Sequence, residues 1–540
     1  MSDPVLSVRN LTIDLPRGGD RPHAVQGISF DIHPNEIVCV VGESGSGKSV
    51  TAFGTMGLLP KALRPSGGQI LFEGQDLLAM SRRAHAKLRG RKMAMVFQEP
   101  MTALNPCFTV GNQIDEIFAA HTKLSAAQRK AKTLALLEEV RLPEPARIYA
   151  SFPHQLSGGQ RQRIVIAMAL AMDPKLLIAD EPTTALDVTT QAQILSMFKT
   201  LKSTHSAGIL FVTHDFDVVA EIADRVVVMQ KGVMVEQGTV DQVLNHPQHP
   251  YTRKLIAAVP RKQPDQAAPL GTQVALSVVE LEKTYHVART LTAPARTVHA
   301  LHPTSFEVRK GETLGIVGES GSGKTTLVRC LIRLQDPDSG AIWIDGRNFA
   351  LGSRQSLRSA RKDIQIVFQD PYGSLNPRRT VGAQLVGGPL NFGEDPKVAW
   401  ARARELMQVV QLEEDALYRY PAQFSGGQRQ RICIARALMM QPKILIADEA
   451  VSALDVSVQK EVLNLLRKIK TEMGLTILFI THDLRVASQI SDHLIVMQKG
   501  QVVERGPVAE VFGNPSSAYT RQLMAAMPGK GWDVPADLRA

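Results

Sequence analysis

The chain has 540 residues, with 62 Lys and Arg against 52 Asp and Glu, a net charge of +10, and 44% hydrophobic residues. That apolar content suffices to build cores and excludes disorder over most of the length. The longest apolar run, 164–172, is about half the ~18 residues that cross a bilayer. The start, MSDPVLSVRN, has no basic stretch followed by an apolar one, so no secretory signal is expected. Cys39, Cys107, Cys330 and Cys433 lie far apart, without metal-ligand spacing, and fit a reducing compartment. The positive charge alone leaves nucleic acid, an anionic membrane face and phosphorylated ligands all open.

In chain order, the first strong element is EIVCVV (36–41), a β-branched run read as a buried strand. It leads into GESGSGKS: Gly42, Glu43, Ser44, Gly45, Ser46, Gly47, Lys48 and Ser49. Glycines at this spacing let backbone N–H groups and the next helix N-terminus wrap a phosphate chain. Lys48 would reach the β/γ-phosphates, and the Ser49 hydroxyl would sit on Mg²⁺. FQEPMTALNP follows at 97–106, then a helical pattern over 125–140. LSGGQRQRI (156–164) sets Ser157, Gly158 and Gly159 before a helical run, an N-terminus able to hold an anion.

The strand LLIA (176–179) ends in Asp180 and Glu181. Asp180 suits Mg²⁺ coordination, and Glu181 stands where a carboxylate can polarise the water attacking a γ-phosphate. An isolated acidic pair at a strand end is more often merely solvated; downstream of a phosphate loop it reads as chemistry. A helix over 189–202, a strand over 209–213, THD at 213–215 and the tail PYTRKLIAAVP at 250–260 complete the unit.

The whole unit is then written again. GESGSGKT returns at 318–325, FQDPYGSLNP at 368–377, FSGGQRQRI at 424–432, ILIADE at 444–449, THD at 481–483 and AYTRQLMAAMP at 518–528. The second loop is Gly318, Glu319, Ser320, Gly321, Ser322, Gly323, Lys324 and Thr325, after the strand TLGIV; Ser425, Gly426, Gly427, Asp448 and Glu449 repeat the rest. The expected organisation is a domain over 1–262, a short Pro- and Gly-bearing linker over 263–275 and a second domain over 276–540. Strands alternating with helices predict an α/β fold with a parallel sheet in each copy.

Phosphate loop, Gln98 and Gln369 after a strand, SGGQ, acidic strand end, ALD (185–187 and 453–455) and TH together resemble the ATP-binding-cassette ATPases. The resemblance covers nearly the whole chain, twice. It implies two tandem P-loop NTPase (RecA-like) cores, each with a helical subdomain, near 100–165 and 371–432, and a small antiparallel β region. It implies ATP and Mg²⁺ as ligands and an intramolecular head-to-tail pairing of cassettes. One site would join the first loop, Gln98, Asp180, Glu181 and His214 to Ser425, Gly426 and Gly427. The other would join the second loop, Gln369, Asp448, Glu449 and His482 to Ser157, Gly158 and Gly159. His214 and His482 would hold the γ-phosphate, and Asp187 and Asp455 would link the sites. Tyr285 would stack on adenine; Leu15 takes that place in the first copy and lacks a ring face. Ala450 stands where the family usually has proline, and Phe424 where it has leucine.

QEPMTALNP, QDPYGSLNP and the two YTR tails resemble the ATPases of bacterial peptide importers, of the oligopeptide, dipeptide, microcin C and glutathione kinds. This implies ATP hydrolysis coupled to peptide uptake, two transmembrane permease subunits, a periplasmic substrate-binding protein and a peripheral place on the cytoplasmic face of the inner membrane, with no nucleic-acid partner. No cysteine follows either tail, so no iron–sulfur cluster is expected. The alternative is a tandem cassette acting on ribosomes, a class that usually carries a long charged helical linker. A DNA-repair cassette would need zinc-binding cysteine clusters, and a fused exporter would need membrane spans.

Overall fold

The computed structural model describes residues 3–18, 21–184, 186–260, 271–287, 296–349, 354–452 and 454–538. The chain divides into two compact units, Met1–Val259 with Met527–Ala540, and Pro260–Ala526. The last fourteen residues thus group with the first unit, whereas the sequence reading assigned them to the second. Most of the predicted linker, with Ala185 and Ala453 of the ALD motifs, falls outside the described residues; its last two residues, Val274 and Ala275, already belong to a strand.

Among the described residues the first unit has ten strands: β1 (Leu6–Asp14), β2 (His23–Ile32), β3 (Ile37–Val41), β4 (Arg64–Phe72), β5 (Gln75–Asp76), β6 (Met93–Val96), β7 (Leu176–Asp180), β8 (Gly208–Thr213), β9 (Arg225–Gln230) and β10 (Val233–Thr239). Six form one sheet, in the order β10-β9-β3-β8-β7-β6, parallel except for the β9–β10 hairpin. β3, β7 and β8 are buried along their whole length. Apolar runs such as IVCVV suit a sheet covered on both faces, where alternation would leave polar groups stranded. The other sheet, β2-β1-β4-β5, is antiparallel and shares one apolar core with β3 and β8 through Ile13, Val25, Ile70, Val40 and Leu210.

The second unit repeats this plan with β11 (Val274–Val287), β12 (Arg296–Arg309), β13 (Thr313–Val317), β14 (Ser339–Ile344), β15 (Arg347–Asn348), β16 (Ile364–Val367), β17 (Ile444–Asp448), β18 (Thr476–Thr481), β19 (His493–Gln498) and β20 (Gln501–Pro507). Its sheets run β16-β17-β18-β13-β19-β20 and β12-β11-β14-β15. Between β6 and β7, and between β16 and β17, the chain is helical, as expected. The predicted helix over 125–140 is Ala126–Glu139, started by Ser125 in a capping box with Gln128. The helix expected at 189–202 is Val188–Thr204, capped by Asp187.

The strand order decides where the site forms. β9, β3, β8, β7 and β6 are parallel neighbours, so their carboxyl ends open on one edge. The phosphate loop leaves β3, Asp180 ends β7, His214 follows β8 and Gln98 lies two residues past β6. Sequence segments far apart in the chain therefore meet at one crevice, the usual ligand position of an open α/β sheet.

Candidate nucleotide sites

In each phosphate loop the backbone, more than the side chains, makes the cradle. A Cβ on Gly42 would stand 2.1 Å from the Met229 carbonyl oxygen, and one on Gly318 2.3 Å from that of Met497. Gly47 and Gly323 have φ of 101° and 103° and sit against the carbonyls of Ala24 and Ala300, each at 2.7 Å from a built Cβ. Gly45 and Gly321 also have positive φ but face open space. Lys48 and Lys324 are buried. Lys48 Nζ donates to the carbonyls of Gly42 (2.7 Å) and Glu43 (3.0 Å); Lys324 Nζ does the same to Gly318 (2.7 Å) and Glu319 (2.9 Å). Each ammonium is thereby held over its loop. Ser46 Oγ is buried there without a hydrogen-bond partner. Backbone cradle, lysine and this hydroxyl fit a polyphosphate.

The acidic ends are brought to the same edge. Ser49 Oγ donates to Asp180 Oδ1 at 2.9 Å, a hydroxyl–carboxylate pair of the kind that takes a divalent cation. Gln98 Nε2 donates to Glu181 Oε2 at 3.0 Å, and His214 Nδ1 lies 3.4 Å from the same oxygen. In the second unit Gln369 Nε2 donates to Glu449 Oε2 at 2.8 Å, and His482 Nδ1 lies 3.6 Å from Glu449 Oε1. The expected grouping of glutamine, glutamate and histidine thus forms twice. Burial pushes Asp180 up to about 6; the Ser49 hydrogen bond opposes this and the Glu181 charge adds to it. Burial raises Asp448 likewise, to about 6, with Glu449 adding. Glu181 goes the other way. Burial raises it, but the hydrogen bond and charge of His214, with Lys48, outweigh that and hold it at about 2. Glu449 is lowered by His482 and Lys324 against the same opposing burial.

Glu181 and Glu449 also share a left-handed backbone, with φ of 47° and 48°. That conformation costs a non-glycine residue about 1–3 kcal/mol and persists only where surroundings enforce it. Here the Glu181 amide donates to the Val212 carbonyl at 3.0 Å and the Glu449 amide to that of Ile480 at 2.9 Å.

The signature serines begin helices. Ser157 and Ser425 each accept from the amide three residues on and close a capping box with Gln160 and Gln428. The paired glycines divide the work. A Cβ on Gly159 would stand 2.4 Å from Thr190 Cγ2, and one on Gly427 2.3 Å from Val458 Cγ1, so these two let one helix pack on another. Gly158 and Gly426 face open space.

The departures have visible settings. Tyr285 Oη donates to Gln335 Oε1 at 2.6 Å, and Lys283 Nζ lies 5.9 Å from its ring centroid. Leu15 instead packs on the apolar core. Phe424 is as buried as Leu156, with the Arg419 guanidinium 4.5 Å from its ring centroid.

Four contributors escaped the sequence reading. Tyr251 Oη accepts from the Glu43 amide at 3.1 Å, and Tyr519 Oη from the Glu319 amide at 3.3 Å. The only signal was the recurrence of YTR in both tails. Thr184 Oγ1 donates to Glu181 Oε2 at 3.0 Å, whereas its counterpart Ser452 turns to the Glu449 carbonyl. Arg21 donates to the Gly45 carbonyl, with no sequence signal to mark it.

This site, repeated, is that of a P-loop ATPase with two cassettes. The model of the ABC transporter family matches residues 25–184 and 301–452, and the chain belongs to that family. A second model, the C-terminal region of oligopeptide/dipeptide transporters, matches 235–284 and 503–533. The chain is 46% identical to the glutathione import ATP-binding protein GsiA of Escherichia coli O157:H7, over 97% of this chain and 89% of the relative. It is 47% identical to the peptidoglycan transport ATP-binding protein YejF of Agrobacterium fabrum, over 97% and 96%. Among the described residues no helix is long and apolar enough to cross a membrane.

Proposed function

We propose that the chain hydrolyses ATP at both sites to drive uptake of peptides or peptide-like solutes through two separate permease subunits, supplied by a substrate-binding protein. The observation that carries the chemistry is the twofold grouping of Gln98, Glu181 and His214, and of Gln369, Glu449 and His482, beside a phosphate loop. In this reading Lys48 and Lys324 hold the phosphates. Ser49, Gln98 and Asp180, and Thr325, Gln369 and Asp448, would hold Mg²⁺, which when bound neutralises phosphate charge. Glu181 and Glu449 accept a hydrogen bond from the attacking water and take its proton. His214 and His482 orient those carboxylates and face the γ-phosphate. Tyr285 offers a ring to adenine.

The likeness of both C-terminal regions to those of oligopeptide and dipeptide transporters supports import over action on ribosomes. The exposed Met101 and Phe108 after Gln98, and Tyr372 after Gln369, support a permease contact beside each glutamine. The corresponding location is peripheral, at the cytoplasmic face of the inner membrane. The test is Glu181→Gln with Glu449→Gln. Hydrolysis should fall by about 10²–10⁴-fold while ATP binding persists. Hydrolysis close to the parent's rate would remove both residues from the reaction.

A further inference from the structure

The residues after AYTRQLMAAMP are the part of the chain that the internal repeat leaves unexplained. Gly529–Leu538 reads GKGWDVPADL, with no counterpart after PYTRKLIAAVP. Its place is on the first unit. Trp532, Val534 and Leu538 are buried there. Trp532 Nε1 donates to Asn245 Oδ1 at 3.0 Å, the Gly529 amide donates to Glu221 Oε2 at 3.3 Å, and Arg253 pairs with Asp537 at 3.5 Å. Gly529 has φ of 69°, and a Cβ there would stand 2.7 Å from Asp217 Oδ1, so only glycine passes so close.

Three of the four receiving residues are not shared by the two halves; Arg253 alone has its equivalent, Arg521. Asp217, Glu221 and Asn245 correspond in the repeat to Arg485, Gln489 and Gly513. Arg485 is turned onto its own neighbour Asp483, at 3.1 Å. Receptor and segment therefore occur as one matched pair, in the first unit. The receptor is also next to the chemistry. Asp217 and Glu221 lie on the helix Phe216–Ile222, which starts two residues after His214. Arg253 lies on the helix Pro250–Ala257, which carries Tyr251 and so reaches the phosphate loop.

We propose that the face of the first unit bearing Asp217, Glu221, Asn245 and Arg253 is a docking site for the chain's own C-terminal segment, and that its occupation holds the His214-bearing end of that unit in place. Trp532 is the anchor, a large aromatic body with its one donor satisfied. The Trp532 contact gives affinity; the Gly529 approach and the Asp537–Arg253 pair set the direction of the segment along that face. The effect on His214 rests on the catalytic reading above; the docking itself does not.

Docking is tested with a chain ending at Ala526 and a synthetic peptide of residues 527–540. The peptide should bind saturably at one site, and the same peptide carrying Trp532→Ala should bind roughly tenfold more weakly or worse. In the intact chain, hydrogen exchange should find the amides of 529–538 protected. Asp217→Arg with Asn245→Gly, which writes the second unit's residues into the first, should release them. Free-peptide exchange rates in the parent chain, or unchanged protection in the double variant, would overturn the docking site. For the link to His214, the segment is removed in a Glu449→Gln background and in a Glu181→Gln background. Hydrolysis should drop in the first and hold in the second. An equal drop in both would overturn the link. If the two carboxylate variants themselves leave hydrolysis intact, the catalytic reading fails while the peptide and exchange measurements still decide the docking.

Discussion

The hydroxyl of Tyr251 accepts a hydrogen bond from the backbone amide of Glu43, 3.1 Å away and 208 residues earlier in the chain. Glu43 is the second residue of the phosphate loop, and Tyr251 belongs to the segment that matches the oligopeptide/dipeptide transporter C-terminal region. The same pair recurs as Tyr519 and Glu319. A region catalogued by its place at the end of the cassette thus supports the first turn of the nucleotide cradle.

Tyr251→Phe keeps the ring and removes the acceptor. Loss of one such hydrogen bond is worth about 0.5–1.5 kcal/mol, so ATP affinity at the first site should fall by roughly 2–10-fold with the fold intact. Titration with a fluorescent ATP analogue, alongside Tyr519→Phe, measures this. Unchanged affinity in both variants would limit the tyrosines to packing.

The signature glycines separate by substitution. Gly159→Ala drives a methyl to within 2.4 Å of Thr190 Cγ2 and should lower the melting temperature through overpacking, by about 1–3 kcal/mol in stability. Gly158→Ala meets nothing and should melt like the parent. If anion approach is what Gly158 serves, it should nevertheless lose hydrolysis. Thermal melts and steady-state ATPase rates on the two variants give four numbers that test both assignments.

Thr184 adds a third donor to Glu181 beside Gln98 and His214. Thr184→Val should lower hydrolysis measured in a Glu449→Gln background by roughly 10–100-fold, the value of one hydrogen bond to a charged group at about 1.5–3 kcal/mol. Ser452→Ala in a Glu181→Gln background should change little, because Ser452 Oγ bonds the backbone carbonyl of Glu449.

His205 joins the end of the helix Val188–Thr204 to two acids, Glu139 at 2.8 Å and Asp173 at 2.6 Å. Burial lowers its pKa, but the two carboxylates outweigh burial and raise it above the usual histidine value. A pKa raised on folding contributes stability that is complete below the unfolded value, about 6.5, and fades as pH rises through the folded one. His205→Gln should therefore cost most in melting temperature near pH 6 and least near pH 9. A difference independent of pH would reject the charged bridge. Met473 holds this position in the second unit, so the effect should be confined to the first.

The strands that bear the site were readable because parallel strands buried on both faces need unbroken apolar runs, and Leu176–Asp180 or Thr476–Thr481 offer little else. The loop, the acidic ends and the histidines were readable from local pattern and duplication. Tyr251, Thr184 and Arg21 were not. Their contacts depend on where chain segments cross in space, and a tyrosine or threonine carries no local mark of its hydrogen-bond partner. The docking of Gly529–Leu538 was illegible for the same reason: its Trp and Val read equally well as the core of the second unit. Leu15 lacks a ring, and the structure gives the positive account: it is partly buried, packed against the apolar core that contains Ile13 and Val25.

The left-handed backbone at Glu181 and Glu449 places a stability optimum and a catalytic optimum at odds on one residue. Glycine would relax that φ and remove a carboxylate crowded against Asp180. Glu181→Gly should thus abolish turnover and relieve the backbone, but it also forfeits the His214, Gln98 and Thr184 contacts that hold the carboxylate ionised, so its melting temperature should rise less than the relieved backbone alone would give.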